Sequence, residues 1–380
     1  MTRQRSEVHE ARASRSTAGR HPARIRAAAV VTALLLGVVT IGGGGAGPFG
    51  AAAATPNLGT VELLDAGIGM IYAPGDIAAA KGYFKQEGLN VNVSVVNSGA
   101  GTDAVAALIG GSVQFANTGL TQVIDAVEQG SPLVAIAAST TEFSVGFVIS
   151  KEAADKAGVT AATPFPQRLK ALKGLRIAIS APGTATDQFT RYVAKLGGVD
   201  PDHDMSLITI GGVGAMRVAF KERRIDGFVR SSPEPEAAAI QDNGFILVAQ
   251  TRGDIPQLRG MLFGSFVTTK AYLAAHPGVV RAFVRGLTKG GKFLTAQSDQ
   301  ANAVFRGLRG GDTPTDIWNA AWTNNYPAMA KDPLITRHSV DVTYQFLQAV
   351  LGAAPTVKFD DFVNTSFAED ADASLKTWTP

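Results

Sequence analysis

The stretch VNVSVVNSGAGTDAVAALIGGSVQFANTG (91–119) decides how this chain is read. It opens on VNVSVV (91–96), an alternating β-branched run of strand type. A glycine-bearing loop, NSGAGTD, follows. The next residues place Val105, Leu108 and Ile109 on one face of a helix, and VQFA (113–116) predicts the next strand before NTGLTQ. A strand that empties through small residues into a helix and returns to a strand is the repeating unit of a parallel sheet.

The same grammar runs outward in both directions. TVELLD (60–65) leads through AGIGMIY (66–72) to a helix entered at Pro74, carried through Ile77, Ala80 and Lys81, closed by Tyr83 and Phe84 and ended by Gly88. PLVAIAA (132–138) predicts a buried strand. In the second half LRIAIS (175–180) precedes APGTATD, SLITI (206–210) precedes GGVGAM, and RIDGFVR (224–230) precedes SSPEPE. FILVAQ (245–250) and a return strand within MLFGSFVTT (261–269) complete the set, and the chain after Lys270 is helical with a break at His276-Pro277. The fold class expected is α/β, two doubly wound lobes joined by a two-strand hinge. The crossings fall near 144–150 and 262–268, giving one lobe of 58–144 plus 268–380 and a second of 148–262.

Residues 1–54 stand apart. Arginines up to Arg24 and Arg26 precede a 15-residue apolar run, AAAVVTALLLGVVTI (27–41), and a small-residue tract ends at Ala54. That order predicts a secretory signal peptide cleaved after Ala54, and the run is short of the ~20 residues that span a bilayer. No adjacent arginine pair marks a twin-arginine signal. The leader carries seven arginines and two acids, so the remaining 326 residues hold 28 basic and 30 acidic side chains, a net of −2 against +3 for the whole chain. A near-neutral mature chain gives no electrostatic case for nucleic acid or an anionic membrane. With no cysteine, disulfides, thiolate sites and a lipidated N-terminal cysteine are excluded. An exported, unlipidated chain implies a periplasm to retain it.

Several segments resemble one family. AAAKGYFKQEGLNVNV (78–93) is similar to the opening signature of ABC-importer periplasmic solute-binding proteins of the nitrate/sulfonate/taurine and thiamine-precursor type. GAGTDAVAALIGGSVQFANTG (99–119), LKGLRIAISAPGTATDQFTRYVAKLGGVDP (172–201), VTTKAYLAAHPGVVRAFVRGLTKGGKFL (267–294) and FDDFVNTSFAED (359–370) resemble later parts of the same pattern, in the same order. The resemblance implies the type II periplasmic-binding-protein fold. It also implies a small-molecule ligand, a permease and its ATPase subunit as partners, and no cofactor; a monomer is expected.

In open α/β sheets ligands lie beyond the carboxyl ends of strands, where helix N-termini offer free N–H groups and partial positive charge. Six loops qualify: 67–72, 98–102, 117–121, 180–186, 211–214 and 230–234. Their candidate ligand-binding residues are Gly69, Tyr72, Ser98, Gly99, Gly101, Thr102, Asn117, Thr118, Thr184, Thr186, Gly212, Arg230 and Glu234. The hydroxyls of Ser98, Thr184 and Thr186 suit either a ligand or a helix N-cap. Arg230 ends an apolar strand, so a guanidinium facing the cleft would bind an oxyanion in bidentate fashion. Glu234 would pair with it or receive a ligand amine. Tyr72 and Phe143 offer stacking walls or core.

Other chemistries fit poorly. Gly99-x-Gly101-x-x-Ala104 imitates a dinucleotide loop, but the following strand ends at Asn117, where an acid is required. His203, His276 and His338 lack metal-ligand spacing, no G-x-S-x-G elbow occurs, and neither a metal site nor a catalytic residue is expected. The expected function is capture of a small oxyanion-bearing ligand (sulfonate, taurine, nitrate or related) for import. The alternatives are a pyrimidine-precursor binder or thiamine-pyrimidine-synthase-like enzyme, whose cysteine-rich segment this chain lacks, and a ligand-sensing module for a signalling partner.

Overall fold

The structure, a computed structural model, describes residues 56–96, 100–165 and 167–380. The leader expected over residues 1–54 lies outside them. Among the described residues, ten strands form two five-stranded sheets, both doubly wound. The first contains β1 (Thr60–Asp65), β2 (Asn90–Val95), β3 (Phe115–Gly119), β4 (Leu133–Ala138) and β10 (Gly264–Thr269), in the order β2-β1-β3-β10-β4. The second contains β5 (Gly146–Ser150), β6 (Arg176–Ile179), β7 (Ser206–Thr209), β8 (Gly227–Arg230) and β9 (Gly244–Ala249), in the order β7-β6-β8-β5-β9. Each order is the other's counterpart. In both, the strand entered by a chain crossing runs antiparallel between its two neighbours.

The crossing strands are fully apolar in their middles, which suits a strand covered on both faces. β5 aligns Gly146 with Arg230 of β8 and Ala249 of β9. A Cβ at Gly146 would sit 2.8 Å from both Cβ and Cγ of Pro235, so this crossing demands glycine for closeness. The crossing segments are stapled by aromatic rings. Phe143 meets Phe263 at 4.6 Å, Phe189 at 5.1 Å and Phe346 at 5.7 Å between centroids, contacts of about 0.5–1.5 kcal/mol each beyond their burial. Phe143 is therefore core and lines no ligand space.

Local departures from the sequence reading have plain causes. Helix Ala73–Ala80 stops early because Gly82 takes φ +72°, and Tyr83 and Phe84 begin a second short helix, Tyr83–Gln86. Gly88 does adopt the left-handed conformation, φ +81°. In helix Gly101–Ile109 the buried face is Ala104, Val105 and Leu108, while Ile109 is 48% exposed where the helix gives way to Gly110-Gly111. β3 runs to Gly119 and not only to Ala116, because β10 pairs Ser265 with Thr118 and Gly264 with Gly119. Helices Lys270–Ala275 and Pro277–Ala296 are separated at His276.

The helical tail covers the first sheet and reaches over to the second. Phe283 of helix Pro277–Ala296 stacks on Phe84 at 5.1 Å. Lys195 of helix Ala185–Leu196 donates to the Val350 carbonyl at the end of helix Arg337–Leu351, 2.8 Å. Among the described residues no helix is long and apolar enough to cross a membrane. Replacing Gly146 with Ala is expected to cost about 1–3 kcal/mol through overpacking against Pro235, read as a lower urea midpoint at unchanged m-value.

Candidate functional site

Strand ends from the two sheets face one another across a cavity of about 60 Å3. By a measure in which one water needs about 10–15 Å3, this space admits a ligand of a few heavy atoms. Four groups of residues enclose it. The loop after β1 supplies Ala66, Gly67, Ile68, Gly69, Ile71 and Tyr72, and the helix starts after β2 and β3 add Gly101, Gly119 and Gln122. From the second sheet, β6 delivers Ser180, Thr184, Ala185 and Thr186, and β8 delivers Arg230, Ser231 and Glu234. Phe263, on the second crossing, completes the wall.

The two sides touch around this space. Met70 N–H donates to the Ser232 carbonyl at 3.0 Å, and Gly69 packs so closely on Ser231 that a Cβ would collide with its hydroxyl. Between the two helices that start at the cavity, Gln188 Nε2 of helix Ala185–Leu196 donates to Asp125 Oδ2 of helix Leu120–Glu128, 2.9 Å. Both helices point their N-termini toward the cavity, where unsatisfied N–H groups favour negative charge.

Arg230 closes β8 and is 7% exposed. Burial draws its guanidinium below the ordinary arginine value, and the charge of Glu234 and the nearby Tyr72 oppose that fall. Glu234, at the first turn of helix Glu234–Gln241, is pushed up to about 7, chiefly by burial. Tyr72 rises well above the ordinary phenol range through burial and the nearby Asp65 carboxyl. A hydroxyl relay lines the second sheet's side. Thr186 Oγ1 donates to Ser180 Oγ at 3.2 Å and lies 3.0 Å from Thr184 Oγ1. Thr184 also caps its helix by accepting from Asp187 N–H, 3.5 Å.

Of the residues singled out from sequence, Gly69, Tyr72, Gly101, Thr184, Thr186, Arg230 and Glu234 line this cavity together. Asn117 and Thr118 do not: they belong to β3, fully buried within the sheet, and Thr118 Oγ1 donates to the Gly101 carbonyl at 3.1 Å. Thr102 faces solvent. Gly212 starts helix Val213–Lys221 at φ +83° and lies off the cavity. Ser98 and Gly99 fall outside the described residues; the N-cap of their helix is Ala100. Ile68, Ile71 and Ser231 lie in loops the sequence marks without being singled out themselves, whereas Gln122 and Phe263 lie outside those loops. Gln122 was signalled by its place in the first turn after a glycine strand end. Nothing in the apolar residues distinguished wall from core.

A model of the NMT1-like family matches residues 54–306. The chain belongs to this family. Comparison with curated protein sequences finds no match. Among solved structures, a protein from Bordetella bronchiseptica RB50 is 21% identical with a TM-score of 0.71, covering 83% of this chain and 98% of that one. The nitrate-binding protein NrtA of Synechocystis PCC 6803 is 18% identical, TM-score 0.65, covering 84% and 89%. The alkanesulfonate-binding protein SsuA of Xanthomonas axonopodis pv. citri, bound to MOPS, is 16% identical, TM-score 0.63, covering 83% and 100%. At such identities the likeness establishes the periplasmic-binding-protein fold, which this family member shares.

Asp125, in the helix after β3, is pushed up to about 6, mainly by burial, with the Gln188 hydrogen bond acting the other way. An acid raised in the folded state binds more protons folded than unfolded, so its contribution weakens as pH rises from about 4 through about 6. Asp125→Asn keeps an acceptor for Gln188 and removes the charge. It is expected to raise the melting temperature at pH 7.5 and leave it nearly unchanged at pH 4, measured by differential scanning calorimetry.

Proposed function

We propose that this chain is the exported solute-binding component of an ABC importer, holding a small oxyanion-bearing ligand between its two sheets. The observation that carries this reading is Arg230: a nearly buried cation lining a small cavity whose walls come from both sheets. A group bound there contacts both halves at once. Only such shared contacts favour the closed over the open arrangement, and closure is the signal an importer reads.

The two helix N-termini and the Ser180 hydroxyl add donors around the same space, the Thr186 and Thr184 protons being taken by Ser180 and the Ala181 carbonyl, so an oxyanion meets N–H and O–H groups. Ile68, Ile71, Phe263 and Ala185 make the remaining wall apolar, which suits the short organic body of a sulfonate or carboxylate. The nitrate- and alkanesulfonate-binding relatives in fold support this ligand class. The leader-like residues 1–54, with the absence of cysteine for lipid attachment, support delivery to a periplasm as a freely diffusing monomer. A permease and its ATPase are then the partners.

A thermal-shift panel of sulfonates, nitrate, carboxylates and pyrimidines tests the reading. A true ligand at ~100 times its Kd stabilises by about 2.7 kcal/mol. A flat response across the panel sinks the oxyanion assignment, and turnover of any member would make the chain an enzyme. With a responding ligand, Arg230→Ala is expected to weaken binding by about 2–5 kcal/mol, the usual loss when one partner of a buried charge pair is removed; unchanged affinity removes Arg230 from the site.

The sign of the pH dependence follows from Glu234. An anion beside it raises its proton affinity further, so binding takes up a proton and tightens as pH falls from 8 to 6. Glu234→Gln is expected to flatten that slope in calorimetric titrations. A slope of opposite sign would show a cationic group of the ligand meeting the Glu234 carboxylate.

A further inference from the structure

The loop that supplies the largest share of the cavity wall, residues 66–72, is flanked by two buried acids. Asp65 ends β1 just before it and is fully buried; Asp76, in the first turn of helix Ala73–Ala80, follows it and is 4% exposed. One guanidinium ties both. Arg309 Nη2 donates to Asp65 Oδ2 at 2.7 Å and to Asp76 Oδ1 at 2.8 Å, and Arg309 Nε donates to Asp76 Oδ2 at 2.7 Å. Arg309 lies in a single π-helical turn, Arg306–Gly310, a geometry that recurs at functional positions. It also lies beyond residue 306, where the match to the family model ends.

We infer that Arg309 is a positioning residue for the ligand cavity, a clamp that fixes both ends of loop 66–72. With its two ends held by one planar fork, the loop has few ways to shift Gly69 and Tyr72 against the opposite wall. Geometry separates this from ordinary packing: all three bonds go to the residues bracketing the loop and none to the loop itself. Tyr72 completes the connection. It lines the cavity together with Arg230, and its hydroxyl feels the charges of Asp65, Arg230, Arg309 and Asp76. Burial raises both carboxyls, the charge of Asp76 raises Asp65 further, and Arg309 opposes the rise at each. Without the guanidinium, two acids would be left buried together.

Hydrogen–deuterium exchange on the full-length chain without ligand tests the clamp. Its marker amides are Met70 N–H, bonded to the Ser232 carbonyl at 3.0 Å, and Tyr72 N–H, bonded to the Gly69 carbonyl at 3.2 Å. In Arg309→Met these are expected to exchange about tenfold faster or more, while amides of β2 and β4 in the same sheet stay within about threefold. Arg309→Lys, which keeps the charge and loses the planar fork, is expected to fall between. Guanidinium ion added to Arg309→Ala is expected to restore part of the loop's protection. Equal loss of protection across the whole sheet, no change in the loop, or failure of both Arg309→Met and Arg309→Lys to fold would overturn the inference in favour of a purely structural ion pair. The inference uses the proposed binding role only to name what the loop serves. Because no ligand enters the exchange measurement, its failure and a flat ligand panel are separately recognisable.

Discussion

A sheet covered on both faces by helices keeps only its strand ends open to other chemistry, and that constraint shapes everything else in this molecule. The parallel strands of each sheet release their loops at one end. Two crossings bind the sheets so that these ends oppose one another. The cavity is therefore a consequence of topology before any particular side chain is chosen. Phe143, Phe189, Phe263 and Phe346 hold the crossings where they must be for the loops to meet.

Within that frame, charge is arranged in two layers. The inner layer is Arg230 with Glu234 at the cavity, and the outer one is Arg309 with Asp65 and Asp76 behind loop 66–72. Tyr72 feels the charges of both. Neither layer is the most economical way to fill a protein interior, since desolvating charge is costly and well-packed apolar groups often do as well for stability. Their placement beside the cavity and beside its largest loop gives the charges a reason other than stability.

Much of this architecture was legible in the sequence because strand and helix periods are local. Nine strand-like runs, a crossing near 144–150 and the small-residue loops between them mark an α/β fold, and the loop ends mark where a ligand would lie. Asn117 and Thr118 show where locality fails. Their composition reads as loop, yet Ser265 and Gly264, almost 150 residues away, pair with Thr118 and Gly119 and draw them into the sheet. Ile109 fails differently: it is apolar enough for the core but sits one helical step past the buried face. Arg230 was recognisable because a charge closing an apolar strand conflicts with its surroundings. Arg309 was not, for its partners lie more than 230 residues earlier and its own neighbourhood, RGLRGGD, reads as a solvated turn.

The position of β10 between β3 and β4 has a consequence for how the chain can fold. Until residues 264–269 exist, β3 and β4 have no native neighbour in common, and the first sheet remains split. The second sheet has no such debt to later sequence: all five of its strands lie between Gly146 and Ala249. The half of the molecule that begins first is thus completed last, with its strand edges uncovered in the interval. The N-terminal half therefore cannot close around itself before the C-terminal half has been made.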